Sequence, residues 1–175
     1  MLQHPQKPGP GRYSAKNLTR IAMIAAIYAA LTIALAPISY GEVQVRVAEA
    51  LTVLPYFFPA AVPGLFIGCL IANLFGGNGL LDIVFGSLAT LSAAWLSRRM
   101  PHPWLVPLPP VLINAVVIGA VLHVVLGIPW AILALQVGAG QLVSCYVLGL
   151  PLLYGIRRFW PNADDVQPFQ GRGKE

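Results

Sequence analysis

Between Val47 and Ser97 the chain carries only two charged side chains, Glu49 and Asp82. A water-soluble domain cannot be built this way. Each of its helices needs a solvated face, so charge interrupts its apolar residues every turn or two. Apolar blocks of this length belong in the hydrocarbon interior of a bilayer. The whole chain of 175 residues follows suit, at 57% hydrophobic and 10% charged. The formal net charge of +5 does not point to nucleic acid. Its basic residues form short clusters beside apolar blocks, not a patch on a polar domain. Cys69 and Cys145 both fall inside apolar segments, without the spacing of metal ligands, and read as small buried residues. No metal or cofactor is expected.

The breakers divide the apolar sequence into six spans. Residues 1–16, rich in proline and glycine, read as a disordered cytoplasmic leader. Helix 1 is expected from Asn17 to Ala36, ended by Pro37, and helix 2 from Val43 to Phe58. Helix 3 is expected from Ala61 to Phe75, ended by "GGNG", and helix 4 from Leu80 to Arg98. Helix 5 is expected from Leu105 to Leu126, and helix 6 from Trp130 to Phe159 with a kink near Pro151. The membrane domain thus covers 17–160, and 161–175 form a polar cytoplasmic tail. The "ALAP" at Ala34 to Pro37 looks like a signal-peptidase site, but proline directly after the small residues disfavours cleavage, so helix 1 is retained. Helices 2 and 3 fall short of the roughly 20 residues of a straight crossing. Short, proline-broken membrane helices surround sites, because their freed backbone groups need protein or water partners.

Orientation follows from charge. With the N-terminus in the cytoplasm and six crossings, ten of the eleven basic residues lie inside, as the positive-inside rule requires. The exception is Arg46. The same topology puts Glu42, Arg46, Glu49, Asn73, Asp82, His123 and Gln141 towards the outer side, with Asn114 near mid-membrane. Ionisable groups are costly there, and their default reading is functional. The bland readings are an Arg46 staple between two glutamates, Asp82 as a helix cap and His123 as a lone interfacial histidine. Read as one helix, Glu42, Arg46 and Glu49 share a face at i, i+4 and i+7. On helix 1, Ala22, Ala26 and Ala30 form one small-residue row, with Ala25 and Ala29 beside them, a smooth ridge that lets another helix approach closely. The chain holds no Walker A sequence and no H-E-x-x-H. A membrane protein with an outward pocket and no motor suggests a subunit that borrows one.

Four blocks carry a resemblance: "APISYGEVQVRVAEALTVLP", "PGLFIGCLIANLFGGNGLLDIVFGSLATL", "PPVLINAVVIG" and "SCYVLGLPLLY". Together they resemble the QueT family, substrate-binding S components of energy-coupling factor (ECF) transporters associated with uptake of queuosine precursors. The resemblance implies an all-α integral membrane protein with an S-component-like bundle of six transmembrane helices and both termini cytoplasmic. It implies a multi-pass protein of the bacterial plasma membrane, not itself an enzyme. It would bind a 7-deazaguanine such as preQ1 or preQ0 at the outer face. It would then dock through Ala22, Ala26 and Ala30 on a transmembrane scaffold (EcfT) driven by two ABC-type ATPases. The candidate binding residues are Glu42, Arg46, Glu49, Asn73, Asp82, Asn114, His123, Trp130 and Gln141. Gln141 stands where the resemblance leads one to expect an acid, keeping acceptor capacity without the charge. Tyr40, Phe75 and Trp130 are candidates for the wall of a flat ring. A guanine edge presents an N–H and an amino group side by side, which a carboxylate accepts as a pair; Glu49 is assigned that role, oriented by Arg46. An S component for another vitamin or nucleobase is the near alternative, and an intramembrane enzyme using Glu49 or His123 the distant one.

Overall fold

The computed structural model describes residues 15–41, 43–76 and 79–159. These residues form helices joined by short links, with no strand among them. Three helical spans are long and apolar enough to cross a membrane: Ala15–Ala34, Pro103–Leu126 and Trp130–Phe159. Three shorter apolar helices lie between the first two, at Val47–Tyr56, Ala61–Gly76 and Asp82–Ser97. In chain order these are helices 1 (Ala15–Ala34), 2 (Val47–Tyr56), 3 (Ala61–Gly76), 4 (Asp82–Ser97), 5 (Leu108–Leu126) and 6 (Trp130–Phe159).

Helix 1 already includes Ala15 and Lys16, which the composition had assigned to the leader. It runs unbroken because nothing in its sequence competes with the α-helix, and it stops before Pro37, whose missing N–H cannot continue the ladder. A single further turn, Ala36–Ser39, restarts with that proline in its first positions.

Helix 2 departs most from expectation. It begins at Val47, four residues later than the apolar pattern suggests, and it is a 3-10 helix throughout. Runs of this length are uncommon, since the tighter winding gives poorer hydrogen bonds. Its residues are mostly buried, so packing against the surrounding helices sustains it rather than propensity. Arg46 is extended at its N-terminus (φ −89°, ψ 91°) and Gln44 takes a left-handed φ of 45°. The common helical face drawn through residues 42, 46 and 49 is therefore corrected: Arg46 precedes the helix that carries Glu49, and Glu42 lies outside the described residues.

Helices 4 and 6 each contain a stretch of π-helix, at Asp82–Gly86 and Val143–Gly149. In helix 6 the departure from α geometry ends just before Pro151, so the irregularity expected at the proline is spread over the preceding turns. Helix 5 starts at Leu108, not Leu105, after a separate 3-10 turn at Pro103–Leu105. Pro109 and Pro110 fall in its first turn, where proline costs no helical bond.

Helices 1 and 3 approach closely through small residues. A Cβ on Gly68 would stand 2.8 Å from the Ala25 carbonyl oxygen and from Tyr28 Cβ, so only glycine permits this crossing. Around it, Tyr28, Ala48, Leu65, Cys69, Ala72 and Ala94 form one buried cluster from helices 1 to 4. A second, of Val53, Tyr56, Phe57, Val106 and Leu153, closes the end near the C-terminus of helix 2. The third joins helices 5 and 6 through Ile118, Leu122, Leu133 and Val137. The periphery is inverted relative to a soluble protein. Leu18, Met23, Leu74, Leu135 and Val147 are all more than half exposed, the surface of a membrane protein that faces lipid.

Candidate functional site

Inside this apolar envelope lies a compact polar cluster. Gln44, Arg46, Glu49, Asn73, Asp82, Thr90, Asn114 and Gln141 are each no more than 2% exposed, and Tyr28 is wholly buried. Helices 1 to 6 and the link before helix 2 all contribute. Desolvating so many polar groups costs free energy unless they are paired or serve a ligand.

Glu49 is held from several sides. Tyr28 donates its hydroxyl to Glu49 Oε1 at 2.5 Å, and Thr90 donates to the same oxygen at 3.5 Å. Asn114, buried on helix 5, lies close to the same carboxylate. Glu49 Oε2 has no hydrogen-bond partner among the described residues. One face of the carboxylate is thus fixed by the scaffold and the other is open.

The centre of the cluster is a sulfur atom. Cys69 Sγ accepts from Thr90 (3.3 Å), Asn73 (3.5 Å) and Arg46 (3.7 Å), and donates to the Gly86 carbonyl at 3.8 Å. Thiol sulfur is a weak acceptor. Three good donors have therefore been gathered around a partner that binds none of them strongly, which suits groups that must exchange partners. Arg46 also donates to Gln44 Oε1 at 3.4 Å and sits 5.7 Å from the centre of the Tyr40 ring. Its charge lies within Coulombic reach of Glu49 and Asp82. Asn73 Nδ2 donates to the Asp82 carbonyl at 3.0 Å, tying helix 3 to the π-helical turn of helix 4. Gly86, in that turn, leaves room for the two side chains: a Cβ there would meet Asn73 Nδ2 at 2.8 Å and Asp82 Oδ1 at 3.0 Å. Gln141 Oε1 accepts from Cys145 at 3.5 Å, and Cys145 also contacts the Glu49 carbonyl.

Six of the residues expected from sequence therefore come together: Arg46, Glu49, Asn73, Asp82, Asn114 and Gln141. Two do not join them. His123 is exposed and bonds the Ile128 carbonyl in the link to helix 6, at 2.6 Å. Trp130 is 44% exposed and donates its indole N–H to the Val116 carbonyl. Of the aromatic wall candidates, Tyr40 is half-buried and fastened to the Ala72 carbonyl at 2.6 Å, while Phe75 is 71% exposed and turned away. Asp82 is not a cap; Leu80 and Leu81 before it are already helical, and it lies buried in the first turn. Ala22, Ala26 and Ala30 are exposed on helix 1, whereas Ala25 and Ala29 are buried.

Sequence reasoning missed Tyr28, Gln44, Cys69 and Thr90. A signal for Tyr28 existed: with Thr32 it interrupts the apolar run of helix 1, and both are wholly buried. Cys69 gave no signal, since a buried thiol in an apolar helix is usually inert packing.

These features define a helical membrane protein with a buried polar cluster to which all six helices contribute, the arrangement of a protein that handles a polar solute inside an apolar shell. The description "QueT transporter" fits residues 18–158, nearly all of the helical region, and the chain belongs to this family of membrane transporters. Over 77 residues it is 36% identical to the queuosine precursor transporter QueT of Lactococcus lactis subsp. cremoris (strain MG1363), a stretch covering 43% of this chain and 45% of that relative. The chain thus matches just under half the length of this curated relative. No solved structure matches it.

Proposed function

We propose that the chain is the substrate-binding subunit of an ECF-type importer of the bacterial plasma membrane. It captures a queuosine precursor, a 7-deazaguanine such as preQ1 or preQ0, from the outer face. It then docks on a transmembrane scaffold that carries two ABC-type ATPases. The observation that carries this reading is the buried cluster around Glu49, with one carboxylate oxygen open and an arginine beside it. A 7-deazaguanine offers the complement: ring N–H and amino donors for Glu49, and a carbonyl oxygen for Arg46. The cationic aminomethyl group of preQ1 has a natural partner in Asp82, or in Glu42 beyond the described residues. The kinship with a queuosine precursor transporter supports the substrate class. Arg46, the one basic residue against the positive-inside distribution, supports placing this cluster on the outer side.

The core binding set is Arg46, Glu49, Asn73, Asp82, Asn114 and Gln141. His123, bonded to the Ile128 carbonyl, and Trp130, bonded to the Val116 carbonyl of helix 5, lie outside the cluster and are assigned to its rim. Equilibrium binding of preQ1 and preQ0 to the purified chain, with adenine and riboflavin as competitors, tests the substrate. Displacement by either competitor, or no binding of either precursor, would overturn it.

For docking, helix 1 supports the reading by exposing Ala22, Ala26 and Ala30 beside Leu18, Met23 and Ile27. Small residues at this spacing allow close helix approach, and a large side chain holds the partner off. Ala26→Leu is therefore expected to lower ATP-driven uptake into cells about tenfold while changing ligand affinity less than about twofold. Unchanged uptake would place the partner surface elsewhere, and copurification of the wild-type chain with ATPase subunits reads the same contact directly.

A further inference from the structure

We infer that Gln44 is the specificity-determining residue that reads the carbonyl oxygen of the ligand. This rests on the proposed function, and assigns a role to a side chain that neither the sequence pattern nor the family resemblance singled out.

Gln44 is 1% exposed, although it lies on the link before helix 2 rather than on a helix. Its left-handed φ of 45° is unusual for a residue with a side chain. The conformation is imposed by contact with helix 6, where the Val43 and Gln44 carbonyls press on Gly140. A Cβ at position 140 would overlap the first and stand 2.9 Å from the second. The backbone of Gln44 is thus wedged in place, and its amide is delivered into the polar cluster.

Arg46 then fixes which way that amide faces. Its guanidinium donates to Gln44 Oε1 at 3.4 Å. Rotating the amide by half a turn would set an NH2 group against a guanidinium, donor against donor. Gln44 therefore presents Nε2 away from Arg46, and this buried donor has no partner among the described residues. Arg46 Nε is a second buried donor without a partner, and Glu49 Oε2 and Asn73 Oδ1 are two buried acceptors in the same condition. The four belong to one connected set, since Arg46 and Asn73 share the Cys69 sulfur and Thr90 bridges that sulfur to Glu49. Two donors and two acceptors, all buried, are the complement of a flat heterocycle with a carbonyl oxygen next to N–H groups. Glu49 and Asn73 take the N–H groups. Gln44 and Arg46 take the oxygen. Of these two, Arg46 also holds other groups in place, whereas the amide of Gln44 is oriented for donation alone. It rejects a ligand that has an amino group where the carbonyl should be, because two donors would then face each other among buried side chains.

The test compares 7-deazaguanine with 7-deaza-6-thioguanine, which keeps the ring N–H and the amino group but replaces the oxygen by a weaker acceptor. Wild-type protein is expected to prefer the oxo base by about tenfold. Gln44→Met, of similar length and without a donor, is expected to lose about tenfold on the oxo base and less than about twofold on the thio base, so the preference collapses. Gln44→Glu turns the donor into an acceptor and is expected to weaken the oxo base further still. A diamino analogue, 2,6-diamino-7-deazapurine, replaces the oxygen by an amino group and the ring N–H facing Glu49 by a lone pair; wild-type protein is expected to bind it at least about a hundredfold more weakly than 7-deazaguanine, and Gln44→Met to narrow that gap. Equal losses on both bases in Gln44→Met, or wild-type protein that accepts the diamino base, would overturn the inference while leaving a 7-deazaguanine binder intact. Failure of wild-type protein to bind any of these bases overturns the proposed function itself.

Discussion

Glu49→Gln leaves the bundle folded and weakens 7-deazaguanine binding by about a hundredfold, the loss expected when a buried acceptor facing a ligand donor becomes a donor itself. The substitution is nearly isosteric. Tyr28 and Thr90 keep their acceptor, because the amide oxygen can occupy the position of Oε1. The amide nitrogen must then take the place of Oε2, the atom with no partner among the described residues. Titration calorimetry or fluorescence binding on purified protein measures the effect, with thermal unfolding as the control for fold. Wild-type affinity in this variant would mean that Glu49 serves only to hold Tyr28 and Thr90. The comparison with Tyr28→Phe sharpens the result. That variant removes one donor from Oε1 and leaves Oε2 as it was, so a smaller loss of about tenfold is expected.

Gly140→Ala produces the second large effect. A methyl group there cannot coexist with the Val43 carbonyl, so the link carrying Gln44 and Arg46 must move off helix 6. Overpacking of this kind costs about 1–3 kcal/mol, and here the strain falls on the segment that carries Gln44 and Arg46. Binding is expected to fall by at least about tenfold, with the melting temperature lowered by several degrees. Gly138 is the internal control. Two residues earlier on the same helix, its Cβ would meet only Ala115 Cβ at 3.4 Å, an ordinary contact. Gly138→Ala is expected to bind as wild type. If the two variants behave alike, the seat of the link on helix 6 has no part in binding.

Much of this was legible in the sequence, and the reasons differ by level. Each of the six apolar blocks holds a helix, three of them long and apolar enough to cross a membrane, because apolar surroundings leave the backbone little alternative. The prolines at 37 and 110 marked the end of helix 1 and the first turn of helix 5 within a few residues. Six of the nine expected binding residues are buried in one polar cluster because charge and amide groups in an apolar chain have few places to go. What failed was local geometry. Nothing in "VAEALTVLPY" announces a 3-10 helix, a conformation imposed by neighbours that pack on it from several sides. The same holds for the left-handed turn at Gln44, whose cause lies at Gly140, almost a hundred residues away. His123 and Trp130 were placed by depth alone. Depth gives the level of a residue in the bundle and not the direction it faces, and both face outward.

The sulfur at the centre of the cluster has a practical consequence. The S–H bond vibrates in an infrared window free of water and amide absorption, and its frequency follows the strength of its hydrogen bonds. Cys69 touches Arg46, Asn73 and Thr90 at once, so a ligand that draws these donors away changes the electron density at the thiol. With Cys145 replaced by alanine, the unlabelled protein has a single described thiol, positioned where occupancy alters its surroundings. Its spectrum is expected to shift on addition of preQ1 and to remain unchanged with adenine, making the transporter its own optical probe.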